Sequence, residues 1–83
     1  MVTLWNDQGM PPDRPAVPPT RRVVAALRAR IDAGEWASGD HMPGTRELSQ
    51  TYGVSTRTIA KAYKQLADEG LVVITPSWGT HRA

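Results

Sequence analysis

Eighty-three residues allow one small domain, and the absence of cysteine excludes a disulfide framework and a thiolate metal site. A net charge of +2 does not by itself point to a polyanionic partner, and no apolar run approaches the ~20 residues of a membrane span. The first twenty residues also lack the apolar core of a signal peptide, so the chain is expected to reside in a reducing cytoplasm, away from membranes.

Residues Met1 to Pro19 carry prolines at 11, 12, 15, 18 and 19. Each proline removes a backbone donor and biases its predecessor away from helix. Residues 1–19 are therefore expected to form a flexible, proline-rich arm, with the folded domain at 20–83. A leader segment is the default reading of such an arm, and a proline-motif ligand for another domain is the sharper alternative.

Helix one is expected to start after Thr20 as N-cap and to run to about Ala33, with Gly34 as its stop. Val23, Val24, Leu27 and Ile31 fall at helical spacing and form the buried stripe. Arg21, Arg22, Arg28 and Arg30 lie off that stripe and read as a solvated face. A glycine-punctuated connector follows, in which Trp36 and Met42 are expected to plug the core. A short second helix spans about Thr45 to Thr51 with Leu48 inward, and Gly53 breaks it. Ser55 caps a third helix that runs to about Glu69, where Ile59, Ala62, Tyr63 and Leu66 recur at i, i+3, i+4 and i+7. After Gly70, "LVVIT" is rich in β-branched residues and reads as a strand; Pro76 and Ser77 turn the chain, and Thr80 to Arg82 return. The expected fold is mainly α with a small β-hairpin.

Helices two and three are separated by a very short turn holding Gly53, the arrangement of a helix-turn-helix. Close crossing of the two helices needs a small residue, supplied by Ser49. The turn needs a residue tolerant of positive φ, supplied by Gly53 four positions later. The second helix needs a branched apolar residue inward, supplied by Ile59. The polar face of the third helix is then informative. Arg57, Lys61 and Lys64 recur at i, i+4 and i+7, and no acid occurs between Leu48 and Ala67. Short hydroxyls and an arginine at the helix start, Ser55, Thr56 and Arg57, suit base edges in the major groove. Lysines further along suit phosphates. The bland alternative for this stripe is a solvated lysine face.

From about Thr20 onward the chain resembles the DNA-binding domain of GntR-family bacterial transcription regulators. The resemblance rests on "GEWASGDHMPGTREL", "YGVS", "DEGLV" and the tail "WGTHRA", in that order; "TIAKAY" is most similar to the YtrA and MocR-like branches. It implies a winged helix-turn-helix, three helices plus a wing, that binds double-stranded DNA as a homodimer on a pseudo-palindromic operator, usually as a repressor. By position, it implies DNA contacts from Arg46 at the start of helix two, from Ser55, Thr56, Arg57 and Thr58 at the start of the recognition helix, and from the wing-tip glycine, Gly79, in the minor groove.

Several positions depart from the family pattern. Thr56 stands where arginine often follows "VS", and Ala60 where another arginine is common. One step along a helix turns a side chain by ~100°, so an operator sequence cannot be borrowed. Gly44 replaces a capping serine, with Thr45 as a substitute cap. Ser77 replaces the wing's first glycine, and Trp78 stands at the tip, either packing on the core or meeting DNA sugars. His81 and Arg82 replace apolar residues, so the last strand is expected to fray. GntR regulators normally add a C-terminal effector-binding and dimerisation domain; no effector ligand is expected within these residues, which read as an isolated head or a stand-alone small regulator.

No catalytic residues, cofactor or metal are expected. There is no cysteine nucleophile and no glycine-rich phosphate loop after a strand, and His41 and His81 read as isolated residues of loop and tail. The serious rival to DNA binding is a protein-interaction module using the proline arm and Trp78. A phage or plasmid architectural factor would share the fold with weaker sequence preference. The basic, polar face of helix three favours DNA, because a protein-binding face is expected to be apolar at its centre.

Overall fold

A computed structural model describes residues 17–83, so nearly all of the proline-rich arm lies outside the described residues. The element order is α1 (Pro19–Asp32), α2 (Thr45–Tyr52), α3 (Thr56–Asp68), β1 (Val72–Thr75) and β2 (Gly79–Arg82). Helix α1 starts earlier than expected. Its N-cap is Pro18, with no side-chain cap, and Thr20 is already helical. Proline at the first helical position loses nothing, because that N–H has no intrahelical partner and the ring presets φ.

The core forms where the apolar stripes meet. Val23, Val24, Leu27 and Ile31 of α1 face Ile59, Ala62, Tyr63 and Leu66 of α3, with Leu48 of α2, Met42 and Val72 closing the ends. Helix α3 is the shared partner: α1, α2 and β1 all pack against it. Met42 plugs the core as expected, but Trp36 only packs at its margin, with the Arg30 guanidinium 4.7 Å over its ring.

The hairpin is antiparallel, pairing Val72 with Arg82, Val73 with His81, Ile74 with Thr80 and Thr75 with Gly79. The expectation of a frayed last strand is wrong. β2 is bonded on its other edge as well, by the connector between α1 and α2. Gly39 N–H donates to Arg82 O, Arg82 N–H to Asp40 O, and Met42 N–H to Thr80 O, at 2.7 to 2.8 Å. We call residues 39–42 the strap. These bonds use main-chain atoms only, so polar side chains at His81 and Arg82 do not weaken them.

The strap runs on into Pro43, whose carbonyl accepts a hydrogen bond from the buried Tyr63 hydroxyl of α3. Burial raises the Tyr63 pKa well above the usual phenol range, so the hydroxyl stays protonated and donating. Tyr63→Phe is expected to cost about 1–3 kcal/mol, because the carbonyl loses its donor in a half-buried place. Urea unfolding of the two proteins measures this; equal midpoints would mean that water replaces the phenol without loss.

Candidate nucleic-acid interface

Helix α2 ends on Gly53, in the left-handed region at φ 67° and ψ 37°. The Gly53 and Val54 N–H groups both donate to Ser49 O, closing the last turn before the chain reverses. Open space surrounds the glycine α-carbon, so its requirement is conformational rather than steric. Ser55 then caps α3: its Oγ accepts from Thr58 N–H at 3.1 Å and lies 3.0 Å from Thr58 Oγ1. The cap at α2 differs from expectation. Gly44 is the N-cap with no side-chain bond, and Thr45 is the first helical residue rather than a substitute cap.

The cap and turn fix which way α3 faces. Ile59, Ala62, Tyr63 and Leu66 turn inward, while Thr56, Arg57, Ala60, Lys61 and Lys64 are exposed. Arg57, Lys61 and Lys64 form one stripe along the helix, as their spacing requires. Thr56 and Arg57 project freely at its start. Ser55 is exposed but tied up in the cap, and Thr58 is half-buried with its hydroxyl against Ser55. Arg46 is exposed in the first turn of α2. Gly79 opens β2 at the hairpin tip, at φ 83°.

The arginines of α1 divide. Arg28 and Arg30 are not part of a purely solvated face. Arg28 donates twice to the Glu69 carboxylate, tying α1 to the end of α3, and Arg30 donates to both oxygens of Glu35 and to the Tyr52 hydroxyl. These bonds hold both carboxyl groups below the usual glutamate range. Arg21 and Arg22 stay exposed. Among the described residues the ion pairs are these two alone, and neither uses Arg46, Arg57, Lys61 or Lys64. No acid occurs between Leu48 and Ala67, so the stripe from Arg57 to Lys64 meets a carboxylate only at its far end, where the exposed Asp68 closes α3.

His41 and His81 are not isolated. They form a bridge between strap and β2 with ring centroids 4.5 Å apart, and His41 Nε2 lies 2.5 Å from the Trp78 carbonyl oxygen. Trp78 itself is 69% exposed, which removes the reading that it packs on the core. Among the described residues no group of three or more metal-ligating side chains occurs.

Comparison with known proteins identifies this arrangement. The sequence profile of bacterial regulatory proteins, gntR family, matches residues 19–81. The chain belongs to the gntR family. Among gntR-type relatives, the histidine utilization repressor of Klebsiella aerogenes is 37% identical over 59 residues, covering 71% of this chain and 24% of that protein. The regulator GgaR of Escherichia coli strain K12 is 40% identical over 59 residues, with the same coverage. The chain thus spans about a quarter of the length of these curated relatives. Among solved structures, the AraR DNA-binding domain in complex with operator ORR3 superposes with a TM-score of 0.80 at 30% identity, covering 86% of each chain. YtrA from Sulfolobus acidocaldarius, a GntR-family transcription factor, gives 0.71 at 30% identity, covering 84% of this chain and 74% of that one. The fold is therefore the gntR-type winged helix-turn-helix, with α2 and α3 as the helix-turn-helix and the β1–β2 hairpin as the wing. Among the described residues of this gntR-family chain, no helix is long and apolar enough to cross a membrane.

Proposed function

We propose that this gntR-family domain is the operator-binding part of a transcriptional regulator, acting as a repressor. Helix α3 enters the major groove of double-stranded DNA. Thr56 and Arg57 reach base edges there; Ser55 and Thr58 hold the helix start and offer what their mutual bond leaves over. Lys61 and Lys64 meet phosphates, Arg46 meets the backbone from α2, and Gly79 carries the wing to the minor groove. Two copies on a pseudo-palindrome bind far more tightly than one, because the second head acts at the effective concentration set by their linkage.

The observation that carries this reading is the stripe Arg57, Lys61 and Lys64, exposed on α3 and outside both ion pairs of the described residues. A solvated face of no function has no reason to keep the run from Leu48 to Ala67 free of acids. The operator complexes of the similar AraR domain support the same use.

The test is fluorescence anisotropy of the purified chain with a pool of random duplexes at low and moderate salt. Binding that falls steeply with salt is expected, since each neutralised phosphate releases counterions. A folded chain that binds no duplex at low salt sinks the proposal and turns attention to protein partners for the exposed hairpin.

Lys64→Ala sharpens the assignment. It is expected to weaken binding alike on all sequences and to reduce the salt slope by ~1. A loss confined to one operator sequence would show that Lys64 reads a base instead.

A further inference from the structure

The wing of this chain carries three aromatic rings in a row. His41 of the strap stacks on His81 of β2 with centroids 4.5 Å apart and planes inclined by 34°. His81 in turn lies 5.5 Å from the Trp78 indole at 52°. The His41 ring also touches the wing tip itself. Its Nε2 is within hydrogen-bond distance of Trp78 O, and a carbonyl oxygen can only accept, so Nε2 is the nitrogen that carries the proton. The same imidazole lies beside Gly79, where an added β-carbon would sit 3.6 Å from Nε2.

We propose that His41 is a positioning residue that fixes the wing tip so that the Trp78 indole lies on the sugar–phosphate edge of bound duplex DNA. The inference rests on the DNA-binding reading above and adds to it a contact and the residue that aims it. Three observations carry it. Trp78 is the most exposed large apolar side chain among the described residues, at 69%, although the His81 ring beside it is half-buried. An indole left in water forfeits the burial that its size would earn, whereas at an interface its apolar body and N–H suit a surface of sugars and phosphate oxygens. Its main chain, by contrast, is tied down: the Trp78 carbonyl is held by His41 and the Trp78 N–H donates to Thr75 O. The side chain is free while the backbone beneath it is fixed.

The third observation is continuity with the helix-turn-helix. From His41 the chain passes through Met42, bonded to Thr80 of β2, and Pro43, bonded to Tyr63 of α3, into α2 and its exposed Arg46. The wing tip is therefore referenced to both helices through five consecutive residues. A residue that holds the tip through this path sets where Trp78 lies relative to α3, which decides whether both reach one duplex together.

The experiment uses the full chain, 15N-labelled, with a mixed-sequence duplex of about two helical turns. The indole N–H signal of Trp78 is assigned by its loss in Trp78→Phe. On titration it is expected to shift or broaden while the Trp36 indole does not. Trp78→Ala is expected to weaken binding about five- to tenfold. His41→Leu should weaken it comparably, and His41→Gln, whose amide N–H reaches a similar place, should restore most of the loss. In a double-mutant cycle the two losses are expected to be strongly non-additive, because His41 acts through Trp78. A chain that binds the duplex with an unmoved Trp78 signal overturns this inference and leaves the DNA-binding reading intact. Additive losses overturn the role of His41. A wild-type chain that binds no duplex overturns both readings. The titration needs only wild-type protein, so a misfolded His41→Leu would not leave the contact undecided.

Discussion

Ile59→Ala is expected to remove about 2–5 kcal/mol of folding free energy, the range for deleting a large aliphatic side chain from a packed interior. The whole stability of a domain of this kind is only about 5–15 kcal/mol, so the variant should lose a large share of it. Ile59 is fully buried on the inner face of α3, the helix against which α1, α2 and β1 all pack. A cavity there has walls on several elements, and no single one can move in to fill it without losing contacts elsewhere. Thermal melts by far-UV circular dichroism measure the effect. At roughly 4–8 °C per kcal/mol for a domain of this size, the midpoint should fall by at least about 8 °C. A midpoint within about 2 °C of wild type would mean that α3 is not the keystone of the packing.

Arg57→Ala is expected to act on recognition and leave the fold alone. Its side chain is exposed and joins neither ion pair of the described residues, so truncation leaves no buried group unsatisfied. If Arg57 reaches a base edge, its loss should weaken specific binding by about 1–3 kcal/mol, or roughly 5- to 150-fold, and relax one base position. Selection of preferred duplexes by wild type and variant reads both effects. Unchanged preference with a smaller salt slope would move Arg57 to the phosphates. The contrast with Lys64→Ala is informative, because the two residues share one stripe but are assigned different partners.

Most of the helical architecture was legible in the sequence, for a physical reason. The inward positions of α1 and α3 repeat at helical spacing, and those residues are the ones found buried. Gly53 and the Ser55 cap were also legible, because their conformational demands are local. What escaped were arrangements made by main-chain atoms or between distant residues. The strap has no side-chain signature, since any backbone can donate and accept. Arg28 meets Glu69 across 41 positions, and Arg30 reaches Glu35 around the end of α1, a spacing that no helical rule anticipates. The start of α1 was misplaced because a proline pair reads equally as leader or as first helical residue. In the interface, residue type and spacing picked out the exposed stripe. That the Ser55 and Thr58 hydroxyls meet each other could not be read from the letters, because it depends on rotamers. The His41–His81 pair was hidden by a separation of 40 positions.

The strap has a consequence for the order in which the chain assembles. Helices α2 and α3 touch within a stretch of about two dozen residues, so their contacts form at small cost in loop entropy. Residues 39–42, however, bond to Thr80 and Arg82, across nearly half the chain. Contacts of such separation come late on a folding pathway. Helices α2 and α3 are thus expected to pair first, with the backbone of 39–42 unpaired until β2 arrives to zip against it and with α1, whose Arg28 meets Glu69 across 41 positions, docking at a similarly late stage. Mutations that disturb this seam, Tyr63→Phe excepted because it sits in the helical core, should speed unfolding far more than they slow folding.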